Sequence, residues 1–236
     1  MSTSSTQGSG DRRVAASTLA MAGLARERAA LYGLLATLFR HQPNQQLLLS
    51  LRSTELREAL TLAGMNLDED FFNADVDELS DELAVEFTHL FLLPGHLISP
   101  HESVQLKGGS GLLRGPETAR VREYYTAVGF EIDPATPMEP DHVSIELEFL
   151  GHLAGEEASA WESGDSGKAS DALHYQQDFL EKHPGRWLFD FLQKVESESG
   201  SDFYRGLARL TADLCAEQQE LLPQLINRFE AYHEAS

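Results

Sequence analysis

The chain has 236 residues, an ordinary apolar share of 42%, and 38 acidic against 18 basic side chains, for a formal net charge of −20. That length can bury a core without staples. The one cysteine, Cys215, excludes an intrachain disulfide and fits a reducing compartment such as the cytosol. The acidic excess disfavours nucleic acid and anionic lipid as partners and favours basic peptides or cations.

Residues 1–20, rich in Ser and Gly, read as a loose tail before a domain over 21–236. Arg12-Arg13 with the mildly apolar run after it could be mistaken for an export signal. Arg26, Glu27 and Arg28 follow too soon for that, and the same helical pattern continues into Leu31, Leu34, Leu35 and Leu38. Leucines at helical spacing predict helices over Leu24 to Phe39 and Leu47 to Leu60. Leu79, Leu83, Phe87 and Leu90 form a third apolar stripe. Leu93 to Gly115 reads as a long irregular stretch, of the length that often carries function. Pro116 opens a helix containing Val121, Tyr124, Tyr125 and Val128, and Gly129 stops it. After a second irregular stretch, Pro140 marks entry to a helix from Asp141 to about Trp161, with Ile145, Phe149 and Leu153 as its core face. Glu162 to Ser170 reads as a turn or short loop. Helices then cover Leu173 to Lys182, Trp187 to Val195, and a last stretch from Phe203 that Pro223 kinks or interrupts. Strand signals are nearly absent, so the expected fold is all-α, a single helical domain. No stretch of 18 or more apolar residues suggests a membrane span.

Several patterns carry possible chemistry. Three Glu-x-x-His pairs, Glu86/His89, Glu139/His142 and Glu230/His233, are the spacing of a di-metal carboxylate enzyme on a helical bundle. Pro140 disfavours a helix through Glu139, and two further inward carboxylates would be needed, so coincidence is the simpler reading. His142 and Glu146 lack the zinc-protease pattern. Lys107-Gly-Gly-Ser-Gly has its lysine on the wrong side for a phosphate loop. Cys215 has no base suggested near it and reads as a small buried group. Asp141 and His142 stand at a helix mouth beside a loop, where a ligand could be gripped; Asp141 can equally serve as a helix-terminus acceptor. Leu93, Leu97 and Ile98 are apolar for a solvated loop, so this stretch either covers the core or lines a groove.

Three ordered motifs then converge on one resemblance. The first is the run Glu139, Pro140, Asp141 and His142, followed by Glu146, Leu147, Phe149 and Leu150. The second is the helix Glu86 to Leu92 leading into Pro94-Gly95, then Pro100, Glu102, Ser103 and Val104. The third is His183, Trp187 and Phe191. Together they resemble the TorD/DmsD/NarJ family of helical chaperones dedicated to molybdoenzyme maturation, across about residues 25–230. His101 stands where some members carry tryptophan, which bears on the choice of client. The resemblance implies a cytoplasmic chaperone that is no catalyst. It would bind the twin-arginine leader or N-terminal segment of an apo molybdoenzyme catalytic subunit and hold back export until the cofactor is inserted. The implied client-binding residues are Asp141, His142 and Glu146 at the centre, Pro100, Glu102 and Ser103 on the facing loop, and Leu93 and Leu97 as apolar contacts. No cofactor or metal is expected; guanine nucleotide or molybdopterin contact is implied only by some relatives. Monomer and homodimer, with or without exchange of helices, stay open.

Overall fold

The computed structural model describes residues 7–93 and 97–234, with side chains described over 18–93 and 97–231. Among the described residues the chain forms helices and no named strand: α1 (Gln7–Arg40), α2 (Gln45–Leu51), α3 (Thr54–Leu62), α4 (Glu69–Asn73), α5 (Val76–Phe91), α6 (Glu102–Gln105), α7 (Pro116–Val128), α8 (Val143–Ser163), α9 (Ser166–Lys182), α10 (Pro184–Glu198) and α11 (Asp202–Glu234). The all-α expectation holds.

The most extensive packing among the described helices joins α1 to α8, and α9 and α11 complete the bundle around them. The α1 side buries Ala22, Ala25, Tyr32, Leu35, Leu38 and Phe39. Gly151 lets α8 approach closely, since a Cβ there would lie 3.2 Å from the Cβ of Tyr32 and 3.3 Å from the Ala29 carbonyl oxygen. A buried polar knot ties the four helices inside this contact. Arg28 donates to Glu157 at 2.5 Å, Gln176 at 3.0 Å and Gln218 at 3.3 Å. Glu157 also accepts from Gln176 at 2.8 Å and from the Trp161 indole at 3.2 Å.

Several boundaries differ from the sequence reading, each for a local reason. Helix α1 starts at Gln7, within the stretch expected as a loose tail over residues 1–20, and residues 1–6 lie outside the described residues. The helix expected from Leu47 to Leu60 is two, because the Ser53 hydroxyl accepts from the Leu56 amide and caps α3 separately. The chain turns at Gly129 (φ 73°) and Gly164 (φ 74°), which take the left-handed conformation after α7 and α8. The short loop expected over 162–170 is mostly helix, since Asp165 caps α9 by accepting from the Lys168 amide. Helix α11 continues through Pro223.

The long stretch after α5 is clasped to the body. Ile98 donates its amide to the Leu90 carbonyl at 2.9 Å. His101 and His142 form an isolated antiparallel bridge, in which the Glu102 amide bonds the Asp141 carbonyl (3.0 Å) and the Val143 amide bonds the Pro100 carbonyl (2.8 Å). The one-turn helix α6 follows this clasp directly and packs against α7 and α10.

Candidate functional site

The three motifs, scattered over a hundred residues of sequence, meet in one buried polar cluster. Asp141 ends the irregular stretch before α8, and its carboxylate turns away from α8 toward α6 and α7. It accepts from the Ser103 amide at 2.9 Å and from the Thr118 hydroxyl at 3.0 Å. The cap of α8 is His142: its Nδ1 accepts from the Ser144 amide at 3.1 Å and lies 2.8 Å from the Ser144 hydroxyl. With Nδ1 an acceptor, the ring proton sits on Nε2. Burial, with His101, Arg40 and His41 adding repulsion, lowers the His142 imidazole to about 3, so the ring is neutral at physiological pH. The His101 ring stands edge-on to it at 5.0 Å, and burial lowers that imidazole too, against the pull of Asp141 and Glu139.

One helical turn further on, Glu146 accepts from the Trp187 indole at 3.1 Å. Glu102 on α6 lies 2.8 Å from His183 Nδ1, at the joint of α9 and α10. Phe191, the last motif residue, is buried against Phe39, Phe91 and Trp187. Burial first, then the neighbouring Glu102 and Asp141, raise the Glu146 carboxyl well above its ordinary range. Tyr125 closes the cluster by donating to the Pro140 carbonyl at 2.8 Å, while Tyr124 points outward to Asp178.

These positions correct the expectation that the centre of the motif faces an open groove. Asp141, His142, Glu146, Pro100, Glu102 and Ser103 are all buried; Asp141 and Ser103 have no exposed surface. The physical reason is hydrogen bonding: Asp141 turns inward to an amide of the one-turn helix α6, which has too few intrahelical bonds of its own, while Glu146 and Glu102 turn inward to the Trp187 indole and the His183 ring. Of the expected site residues, Leu93 (40% exposed) and Leu97 (50%) are the ones at the surface. Pro94 and Gly95 lie outside the described residues. Sequence reasoning missed Thr118, which carries no motif signal, and the Arg28 knot, which an arginine within an apolar helix face does hint at.

The metal reading fares differently at each of its three pairs. Glu86 accepts from the Gly200 and Ser201 amides just before α11, Glu139 pairs with Arg114, and Glu230 stands near His174. The His233 side chain lies outside the described residues. Among the described residues no three His, Cys, Asp or Glu side chains gather as a metal site. Burial pushes the Cys215 thiol up to about 12, consistent with an inert core group. No helix among the described residues is long and apolar enough to cross a membrane.

Comparison with known proteins places this geometry. Residues 44–193 match the family described as nitrate reductase delta subunit. The chaperone protein TorD of Vibrio cholerae is 30% identical over 214 residues, covering 85% of this chain and 94% of the relative. TorD of Shewanella oneidensis is 29% identical over 217 residues, covering 85% and 92%. A solved structure from Archaeoglobus fulgidus, described as a candidate redox enzyme maturation protein, is 22% identical with a TM-score of 0.47, covering 78% of this chain and 93% of that one. The sequence matches are what decide the assignment, and they make the chain a chaperone and not an enzyme. With its three motifs packed as one cluster, the chain belongs to the TorD/NarJ family of molybdoenzyme maturation chaperones.

Proposed function

We propose that the chain is a cytoplasmic chaperone that binds the twin-arginine leader, or an equivalent N-terminal segment, of an apo molybdoenzyme, and protects it until its cofactor is in place. One observation carries this reading: the outer face of α5 is acidic at one end and apolar at the other. Asp77, Glu78, Asp81 and Glu82 are exposed in its first half, Val85 is 71% exposed, and Leu92 (56%) and Leu93 (40%) stand exposed just past its last turn. Glu78, Glu82, Val85 and Leu92 recur at spacings of four, three and seven, which keeps them on one face. Fourteen residues of helical rise separate Glu78 from Leu92, about 21 Å. A leader has a cationic stretch followed by an apolar one, so it meets complementary chemistry along this face: carboxylates for the arginine forks, then leucines for the apolar run.

The buried cluster acts on this surface indirectly. It fixes the clasp at His101 and His142, and the clasp positions the segment that carries Leu97. On this reading Asp141, His142, Glu146, Pro100, Glu102 and Ser103 shape the client surface as its frame, while Leu93 and Leu97 touch the client.

The test is titration of a fluorescent twin-arginine leader peptide against the full chain. Each leucine buried in a complex is worth about 1.5–3 kcal/mol, so Leu93→Ser with Leu97→Ser should weaken binding at least about tenfold while the melting temperature stays within a degree or two. Wild-type affinity should also fall with added salt. A leader that binds the double variant as tightly as wild type would overturn the placement, and a wild-type chain that binds no leader would overturn the function.

A further inference from the structure

Glu146 is buried in an unusual setting. Its Oε2 accepts from the Trp187 indole, but no donor reaches its Oε1 among the described residues. Beside it stands a second carboxyl, Glu102 on α6: His183 and Trp187, one helical turn apart, hold Glu102 and Glu146 respectively, and after burial Glu102 is the main cause that raises Glu146. Two ionised carboxylates in contact, both about 1% exposed, would repel each other where little water screens them. An unmet buried acceptor and a facing acid have one simple resolution, a proton between them.

The charged and titratable groups around the pair do not offer another. From α6 there is Glu102 itself, and from the junction before α8 Asp141, whose carboxylate is already bonded to Ser103 and Thr118. From α7 comes the Tyr125 hydroxyl, which donates to Pro140 instead. From α11 comes Cys215, and from the α8 cap the neutral His142. His183, at the α9–α10 joint, reaches Glu102 and not Glu146. Arg40 of α1 is held by Glu148 and Ser144, outside the pair. No lysine or arginine among the described residues bonds to Glu102 or Glu146.

We propose that Glu146 is a neutral carboxylic acid whose proton is donated to Glu102, and that this shared proton latches α6, and with it the clasped segment after α5, onto α8 and α10. Glu102 then accepts twice, from Glu146 and from His183 Nδ1, and Glu146 accepts once from Trp187 and donates once. The Oε1 left unmet is thereby satisfied. Opening the latch exposes Glu146 to water, where it releases the proton.

The sign of the pH dependence follows. Burial raises the Glu146 carboxyl above its ordinary value of 4.5. The closed state therefore holds a proton that the open state lacks over the interval from about 4.5 up to the raised value. Closure is fully favoured below that interval and is lost progressively as pH rises through it, by up to about tenfold in the opening equilibrium per pH unit for one proton. The latch concerns the attachment of α6 and does not depend on what binds the surface beside it.

The experiment is amide hydrogen exchange on the full chain, read at Ser103 and Leu106, whose amides bond Asp141 and the Glu102 carbonyl. Rates are corrected for the intrinsic pH dependence of exchange. The wild type should show α6 opening that climbs up to about tenfold per pH unit, while Glu146→Gln, whose amide donates to Glu102 without needing a proton, should show a flat profile. An equal climb in Glu146→Gln, or a flat wild-type profile, overturns the proposal. Should the variant fail to fold, the infrared spectrum of the wild type at neutral pH decides: a carbonyl band of a buried neutral carboxylic acid supports the latch, and its absence refutes it.

Discussion

Asp141 is the hinge between what a motif signals and what a side chain does. Its two carboxylate oxygens satisfy an amide of α6 and a hydroxyl of α7, and its own carbonyl accepts from Glu102. Removing the carboxylate leaves two buried donors without acceptors, at a cost of about 1–3 kcal/mol for each. Asp141→Ala is therefore expected to lower stability by about 2–6 kcal/mol in urea titrations, and any loss of client affinity in that variant reports on folding before it reports on contact. Asp141→Asn, which keeps one acceptor, should lose less. The residue's importance was legible in the sequence as an acid beside a helix mouth. Its target was not, because α6 is a single turn with no hydrophobic period to announce it. The same limit applies to Glu146: its spacing from His142 says only that both sit at the start of one helix, and the three-dimensional approach of Trp187 shows it inside.

At the scale of elements, long periodic helices were readable and short capped ones were not. The apolar stripes of α1, α5, α8 and α10 follow from leucine and aromatic spacing, whereas the break between α2 and α3 depends on one hydroxyl, Ser53, that looks like any other polar helix residue. The α9–α10 joint falls at Pro184-Gly185, in the gap between the helices expected to end at Lys182 and to begin at Trp187, and the structure adds why the glycine is there. A Cβ at Gly185 would lie 2.6 Å from the Leu180 carbonyl oxygen, a backbone atom of the preceding helix that cannot swing aside. At Gly206 the nearest atom is Met65 Cγ at 2.9 Å, in a flexible side chain. Gly185→Ala is thus expected to destabilise by about 1–3 kcal/mol, as other overpacked sites do, and to loosen His183 beside it. Gly206→Ala should cost less than Gly185→Ala, because the Met65 side chain can give way where a backbone carbonyl cannot, and alanine favours the helix interior. Thermal melts of the two variants side by side distinguish a backbone clash from a side-chain one.

Across the whole molecule, the net charge of −20 has two opposite consequences. It draws a basic partner toward the surface, and it pushes the chain's own carboxylates apart. Salt screens both. Raising sodium chloride from about 0.05 M to 0.5 M shortens the screening length from more than 10 Å to a few ångströms, so the melting temperature of the free chain should rise over the same range in which leader affinity falls. A melting temperature that falls with salt would mean that ion pairs outweigh the general repulsion. The all-helical class and the family were legible at this scale, because three motifs kept order and spacing. Their fusion into one cluster was not, since residues 102, 146 and 183 are brought together by tertiary packing alone. The Arg28 knot carries a last consequence for how the chain is made. Its partners, Glu157, Gln176 and Gln218, lie 129, 148 and 190 positions away. When the first helix leaves the ribosome, its seat has not yet been translated, and Tyr32, Leu35, Leu38 and Phe39 must wait uncovered for most of synthesis. A chaperone of enzyme maturation passes through an exposed interval of its own.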